Sequence, residues 1–127
     1  MKAEGVGSKV WFIPDGYLPV NSAPTDLLSH EAVCMLNVGA QPANVEITIY
    51  FEDREPLTGI KTTVGPQRCL HLRLDKPEAL GGKQIPSGVP YALRVESDQK
   101  IIVQHSRLDA TQPNLALFTT MGYPVGG

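Results

Sequence analysis

The chain has 127 residues, is 42% hydrophobic and 19% charged, and carries a formal net charge of −2. That suffices for one globular domain, too little for two, and such a domain buries ~65–70% of its unfolded surface without needing a disulfide or metal. The mild acidity argues against a nucleic-acid footprint, and the absence of any adjacent Lys or Arg residues argues against a polybasic membrane patch.

No stretch approaches the ~20 apolar residues that cross a bilayer, and "MKAEGVGSKVWFIPDG" lacks the apolar core of a secretory signal. The expected address is therefore the cytoplasm. Cys34 and Cys69 sit in apolar runs and form no CxxC pair, which suits reduced, buried structural thiols.

Taken in chain order, the sequence reads as short Val-, Ile-, Thr- and Tyr-rich runs punctuated by Gly and Pro, the pattern of an all-β sandwich or barrel. Eight antiparallel strands are expected: Val10–Pro14, Ala32–Val38, Ala43–Phe51, Gly59–Val64, Gln67–Leu74, Tyr91–Ser97, Ile101–Leu108 and Leu115–Met121. The third alternates most cleanly. Val45, Ile47, Ile49 and Phe51 share one face, while Glu46, Thr48 and Tyr50 share the other, so one face lies in the core. "ESDQK" reads as a hairpin with Asp98 and Gln99 at its tip. No segment repeats apolar residues at helical spacing over three turns, so no long helix is expected. Residues 15–30 and 75–90 are the long irregular stretches and the candidate functional loops. The ordered core is expected over about residues 9–123, as a single domain, with the terminal "PVGG" frayed.

Polar residues inside the strands carry what functional signal there is. In "IIVQHSRLD" the residues Ile101, Val103, His105, Arg107 and Asp109 share one face, so the strand is expected to leave the core near His105. Cys69, His71 and Arg73 share a face of the fifth strand, and Arg94 with Glu96 a face of the sixth. Three readings of these mixed-charge faces stand side by side: a solvated face with weak cross-strand ion pairs, a subunit interface rich in Arg and Tyr, and a small-molecule site at the strand ends. Arg107 requires a partner if buried, and Glu31 or Glu46 from another strand is the expected mate. His30, His71 and His105 lack metal-ligand spacing. Ser106 and His105 point to opposite faces, which removes a Ser–His–Asp reading, and there is no nucleophile elbow or phosphate loop. No catalytic, metal or cofactor site is expected.

Trp11, "DGYLP" at 15–19, "SHEAVCMLN" at 29–37, "VEITIYFEDREP" at 45–56, "HLRL" at 71–74, "IP" at 85–86 and "IIVQHSRLD" at 101–109 together resemble the small soluble sensory rhodopsin transducers. The matching blocks span about nine-tenths of the chain. One departure is Thr111, which stands where the family's D-x-R-Q run has a basic residue. The resemblance implies an eight-stranded, jelly-roll-like β-sandwich that is cytoplasmic, non-enzymatic and homotetrameric. It also implies binding of a small polar, carbohydrate-like ligand, with a membrane rhodopsin or other signalling protein as a further partner. The residues it carries over as ligand-binding or interface candidates are Arg68, His71, His105, Arg107, Asp109 and Gln112.

Overall fold

The structure, a computed structural model, describes residues 5–20, 29–109 and 116–126. The elements are β1 (Ser8–Tyr17), β2 (His30–Asn37), β3 (Ala43–Phe51), β4 (Leu57–Val64), β5 (Arg68–Arg73), a 3₁₀ turn (Pro77–Leu80), β6 (Pro90–Asp109), β7 (Ala116–Met121) and β8 (Tyr123–Val125). All pairings are antiparallel. The fold is all-β, and the strands form one connected sheet.

That sheet folds over on β6 to make a sandwich. One half runs β4-β3-β6-β1-β8, and the other runs β5-β2-β6-β7. The N-terminal stretch of β6 pairs with β1 and β3, as in Phe12↔Arg94 and Ile47↔Val95, while its C-terminal stretch pairs with β2 and β7, as in Val33↔His105 and Arg107↔Phe118. Here the expected hairpin at "ESDQK" is corrected. No ladder joins the two stretches of β6, which instead bend through a register shift where Val10 faces Glu96 but Ser8 faces Ile101. Extra residues on one strand bend and twist it, which is how a strand turns a sandwich corner. Asp98 fastens that bend to β3, accepting from Asn44 N at 2.8 Å and Asn44 Nδ2 at 2.9 Å. The expected count of eight strands still holds among the described residues, because Tyr123–Val125 adds one where two others merge.

The alternating residues meet between the halves. Trp11, Ile13, Val45, Ile47, Ile49, Ile60, Leu93 and Val95 come from one half, and Val33, Met35, Leu72, Ile101 and Val103 from the other. Trp11 also locks the corner, since its indole N–H is shared between the carbonyls of Ser8 and Ile101, each at 3.0 Å. Two glycines are dictated by close approach. A Cβ on Gly7, whose φ is +100°, would lie 2.1 Å from the Ile101 carbonyl oxygen, and one on Gly16 would lie 2.3 Å from the Tyr91 ring.

Candidate functional site

One end of the sandwich buries a charge cluster centred on Glu31. This residue starts the inward-facing series Glu31, Val33, Met35 on β2, and it is 0% exposed. A bare carboxylate there would be prohibitive, so the question is what satisfies it. Tyr17 N of β1 donates to both oxygens at 3.1 Å. The Tyr91 hydroxyl donates to Oε1. Arg107 Nε donates to Oε2 at 2.5 Å, from the position directly opposite Glu31 in the β2–β6 ladder. His105 Nε2 stands 3.4 Å from Oε1, at contact distance for an ion pair, yet neither ring nitrogen makes a hydrogen bond among the described residues.

Burial is the largest influence on the Glu31 carboxyl and pushes it up, but the contacts from His105, Tyr91 and Arg107 together outweigh it and hold the group below its ordinary value. Tyr91 moves the other way. Burial, and then the negative charge of Glu31, push its phenol upward, so it stays protonated and serves as a donor. The cluster is thus a carboxylate on β2 with donors from β1 and from both ends of β6.

Its rim faces outward through Arg107. With Nε held by Glu31, Nη2 is buried, lacks a hydrogen-bond partner among the described residues, and lies 3.7 Å from Asp15 Oδ1, whose side chain is 85% exposed. The guanidinium carbon sits 5.1 Å from the centre of the Phe118 ring on β7, a cation–π distance. Beside this rim, a cleft of about 430 Å³ is lined by Ile13 and Asp15 of β1 and by Thr120, Met121, Gly122 and Tyr123 of the β7–β8 ribbon. A planar donor, an exposed carboxylate and an aromatic face are the groups that recognise a polar molecule with apolar patches.

The candidates from sequence divide sharply. His105 and Arg107 are brought together, and of the two expected mates for Arg107 the structure selects Glu31; Glu46 lies on the outer face of β3, opposite Glu96. The expectation that β6 leaves the core near His105 is corrected: His105 is 0% exposed, and the core continues through it because the other half of the sandwich covers that end. Arg68 is exposed at the start of β5, bonded to the Gln67 carbonyl at 3.0 Å. His71 is exposed opposite Cys34, on the outer face, and the expectation of buried thiols is corrected there, since Cys69 is exposed and Cys34 half-buried. Asp109 ends β6 opposite Ala116. Gln112 lies outside the described residues. Among the described residues no group of His, Cys, Asp or Glu could hold a metal ion, and no helix is long and apolar enough to cross a membrane.

Sequence reasoning did not single out Tyr91, Asp15 or Phe118. The clash at Gly16 is the trace Tyr91 leaves, but a glycine next to Asp15 in "PDGY" reads as an ordinary turn until the fold places the ring on it.

Fold and cluster together define a small all-β module whose polar residues are organised around one buried carboxylate. The profile of the Anabaena sensory rhodopsin transducer family matches residues 6–124. The chain belongs to that family. It is similar to the crystal structure of Thermotoga maritima 1070, with 40% identity and a TM-score of 0.84 over 96% of this chain and 98% of that one. It is also similar to the Anabaena sensory rhodopsin transducer, with 37% identity and a TM-score of 0.70 over 79% of this chain and 94% of that one. A search of curated proteins finds no match.

Proposed function

We propose that this transducer-family protein is a non-enzymatic cytoplasmic signalling module, assembling as a homotetramer, that binds a small polar, sugar-like ligand in the cleft between β1 and the β7–β8 ribbon. The observation that carries the reading is the divided guanidinium of Arg107. Nε is spent on Glu31, and Nη2 is left beside Asp15 and the Phe118 ring without a hydrogen-bond partner among the described residues. A ligand hydroxyl donating to Asp15, which lines the cleft, would fix that exposed carboxylate against the buried Nη2, 3.7 Å away, beside the Phe118 ring. An acid–base role for Glu46, His71 or His105 gains no support, since they stand on an outer face, on the opposite outer face and in the core, respectively.

A thermal-shift screen against sugars, sugar phosphates and nucleotides tests the reading. Ligand at a hundredfold its dissociation constant adds ~2.7 kcal/mol of stability. A saturable rise in melting temperature is expected, lost in Asp15→Asn and Phe118→Ala, two substitutions at exposed side chains that leave the core intact. A shift that survives both, or none from any compound, refutes it.

A second reading has its own observation. On the outer face of the β5-β2-β6-β7 half, the strand positions carry no carboxylate, and Leu36, Leu117 and Met121 are exposed on it. Such a face suits a protein-interaction adaptor, for a membrane photoreceptor or another signalling protein, with no ligand of its own. The absence of any thermal shift favours that adaptor.

A further inference from the structure

Where β1 runs past the Glu31 cluster it breaks step with β6. Ile13 stands opposite Leu93 and Gly16 opposite Tyr91, so Pro14 and Asp15 share the single place opposite Ala92. Such a bulge carries a residue that the ladder does not hold, and it re-aims the side chain there. Pro14 removes a backbone donor as well. β8 pairs with β1 only from Val10 to Phe12, so no strand covers the other flank of the bulge among the described residues. Both bulge residues are exposed, whereas the residues on either side are fixed. Ile13 is buried in the core, Gly16 lies against the Tyr91 ring, and Tyr17 N is held by Glu31. Two loose residues between clamped ones form a strap.

The strap faces an unmade hydrogen bond. Asp15 Oδ1 is 3.7 Å from Arg107 Nη2, beyond the ~2.7–2.9 Å of a charge-assisted N–H···O bond. Nη2 is buried and lacks a hydrogen-bond partner among the described residues. No third atom fits in a gap of 3.7 Å, so nothing stands between donor and acceptor. Folded proteins rarely leave a buried donor without an acceptor, and here a carboxylate able to serve sits on the part of β1 that is free to move.

We infer that Pro14–Asp15 is a latch with two positions: open, as in the structure, and closed, with the Asp15 carboxylate accepting from Arg107 Nη2. Closing takes a shift of about 1 Å at the carboxylate. In the closed position the planar guanidinium joins two carboxylates, Glu31 on β2 through Nε and Asp15 on β1 through Nη2. Asp15 is also a wall of the cleft beside the β7–β8 ribbon, so the cleft has two shapes. Any molecule that binds one shape better moves the latch toward it. The inference goes beyond the ligand reading, because the latch belongs to the free protein and a ligand hydroxyl on Asp15 only shifts its balance toward the closed position.

The test uses the full chain without ligand. Relaxation-dispersion NMR reads the amides of Asp15 and Gly16 and the Nε–H of Arg107. Microsecond-to-millisecond exchange is expected at all three, and it should vanish in Asp15→Ala, which has no carboxylate to close. Asp15→Glu adds one methylene and spans the gap without backbone movement, so it should lose the exchange and melt a few degrees above wild type. The Asp15 side chain is 85% exposed, so neither substitution disturbs the core. A wild type without exchange at these groups overturns the latch, as does exchange that persists in Asp15→Ala. Asp15→Glu melting no higher than wild type overturns it too. None of these results touches the ligand reading, whose own test is the compound screen, and a screen that finds nothing leaves the latch standing.

Discussion

Removing either member of the Glu31–Arg107 pair should cost far more than removing both. The Glu31 side chain is 0% exposed and that of Arg107 16%, so the pair falls in the buried class, where stripping one partner costs ~3–5 kcal/mol. Arg107→Leu leaves Glu31 with Tyr17 N, the Tyr91 hydroxyl and His105, which places it near the lower figure. Glu31→Leu strands the guanidinium 3.7 Å from an exposed Asp15, and strands Tyr17 N and the Tyr91 hydroxyl as well, at ~1–3 kcal/mol for each unsatisfied group, which places it at the upper figure. In the double variant the lone charge is gone, and only the two neutral donors remain unsatisfied, costing ~2–6 kcal/mol. The singles therefore sum to about 8 kcal/mol, and the double should fall short of that sum by at least ~2 kcal/mol, near the upper range of measured couplings. Urea denaturation of all four proteins, read as midpoint times slope, measures this. Where the whole domain is worth only ~5–15 kcal/mol, Glu31→Leu is expected to be partly unfolded at 25 °C, and Glu31→Gln then takes its place in the cycle. Costs that add to within ~0.5 kcal/mol would show that carboxylate and guanidinium do not act as a unit, and the account of the cluster would be wrong.

Acid should unfold the protein through the same carboxylate. Glu31 is held below its ordinary 4.5 in the folded state, so its contribution is fully present above that value and is lost as pH falls through the lower folded value. Urea midpoints should thus decline below about pH 4.5, more shallowly in Glu31→Gln than in wild type; equal slopes would refute the assignment. Asp75, pushed up by burial but held lower by Arg73, adds to the decline with the same sign in both proteins. Gly16→Ala should destabilise by ~1–3 kcal/mol, because its Cβ would stand 2.3 Å from the Tyr91 ring and force it away from Glu31. In a Tyr91→Leu background the same substitution should cost less than half as much in a thermal melt, and an equal cost in both backgrounds would show that the ring is not the obstacle.

The strands were legible because each has one face in the core. Val45, Ile47 and Ile49 alternate with Glu46 and Asn44, and their burial follows that pattern. β8 shows the limit. With no covered face it has no apolar–polar alternation to read, so Pro124 and Val125 read as part of a frayed end, whereas β7, equally uncovered, still reads as a strand over Leu115–Met121. "ESDQK" misled because Asp and Gln beside Ser suit a hairpin tip and a sheet corner equally well; which forms depends on where Asn44 of β3 stands to receive Asp98. The partner of Arg107 was within reach because Glu31 had to lie on some neighbouring strand, and a buried arginine narrows the choice to carboxylates. Tyr91 was out of reach for a reason of distance: it is 16 positions upstream of Arg107 on the same strand.

That separation says what the cluster does for the fold. In a straight strand, Tyr91 and Arg107 would be roughly 50 Å apart at about 3.3 Å per residue, yet both donate to the two oxygens of one carboxylate. β6 can satisfy Glu31 only after it has turned the corner and brought its two ends onto facing halves of the sandwich. Glu31 also holds the end of β1 through Tyr17 N, and its own carbonyl accepts from Leu74 N at 2.9 Å, beyond the end of β5. Hydrophobic packing is non-directional and would tolerate the two halves sliding over one another, whereas a carboxylate shared among a phenol, a guanidinium and a backbone amide accepts one alignment. The guanidinium that completes this alignment at Nε also presents Nη2 toward Asp15. Being rigid and planar, it cannot shift at one nitrogen without shifting at the other. The outward rim of the cluster is thereby tied to the contact that closes the sandwich.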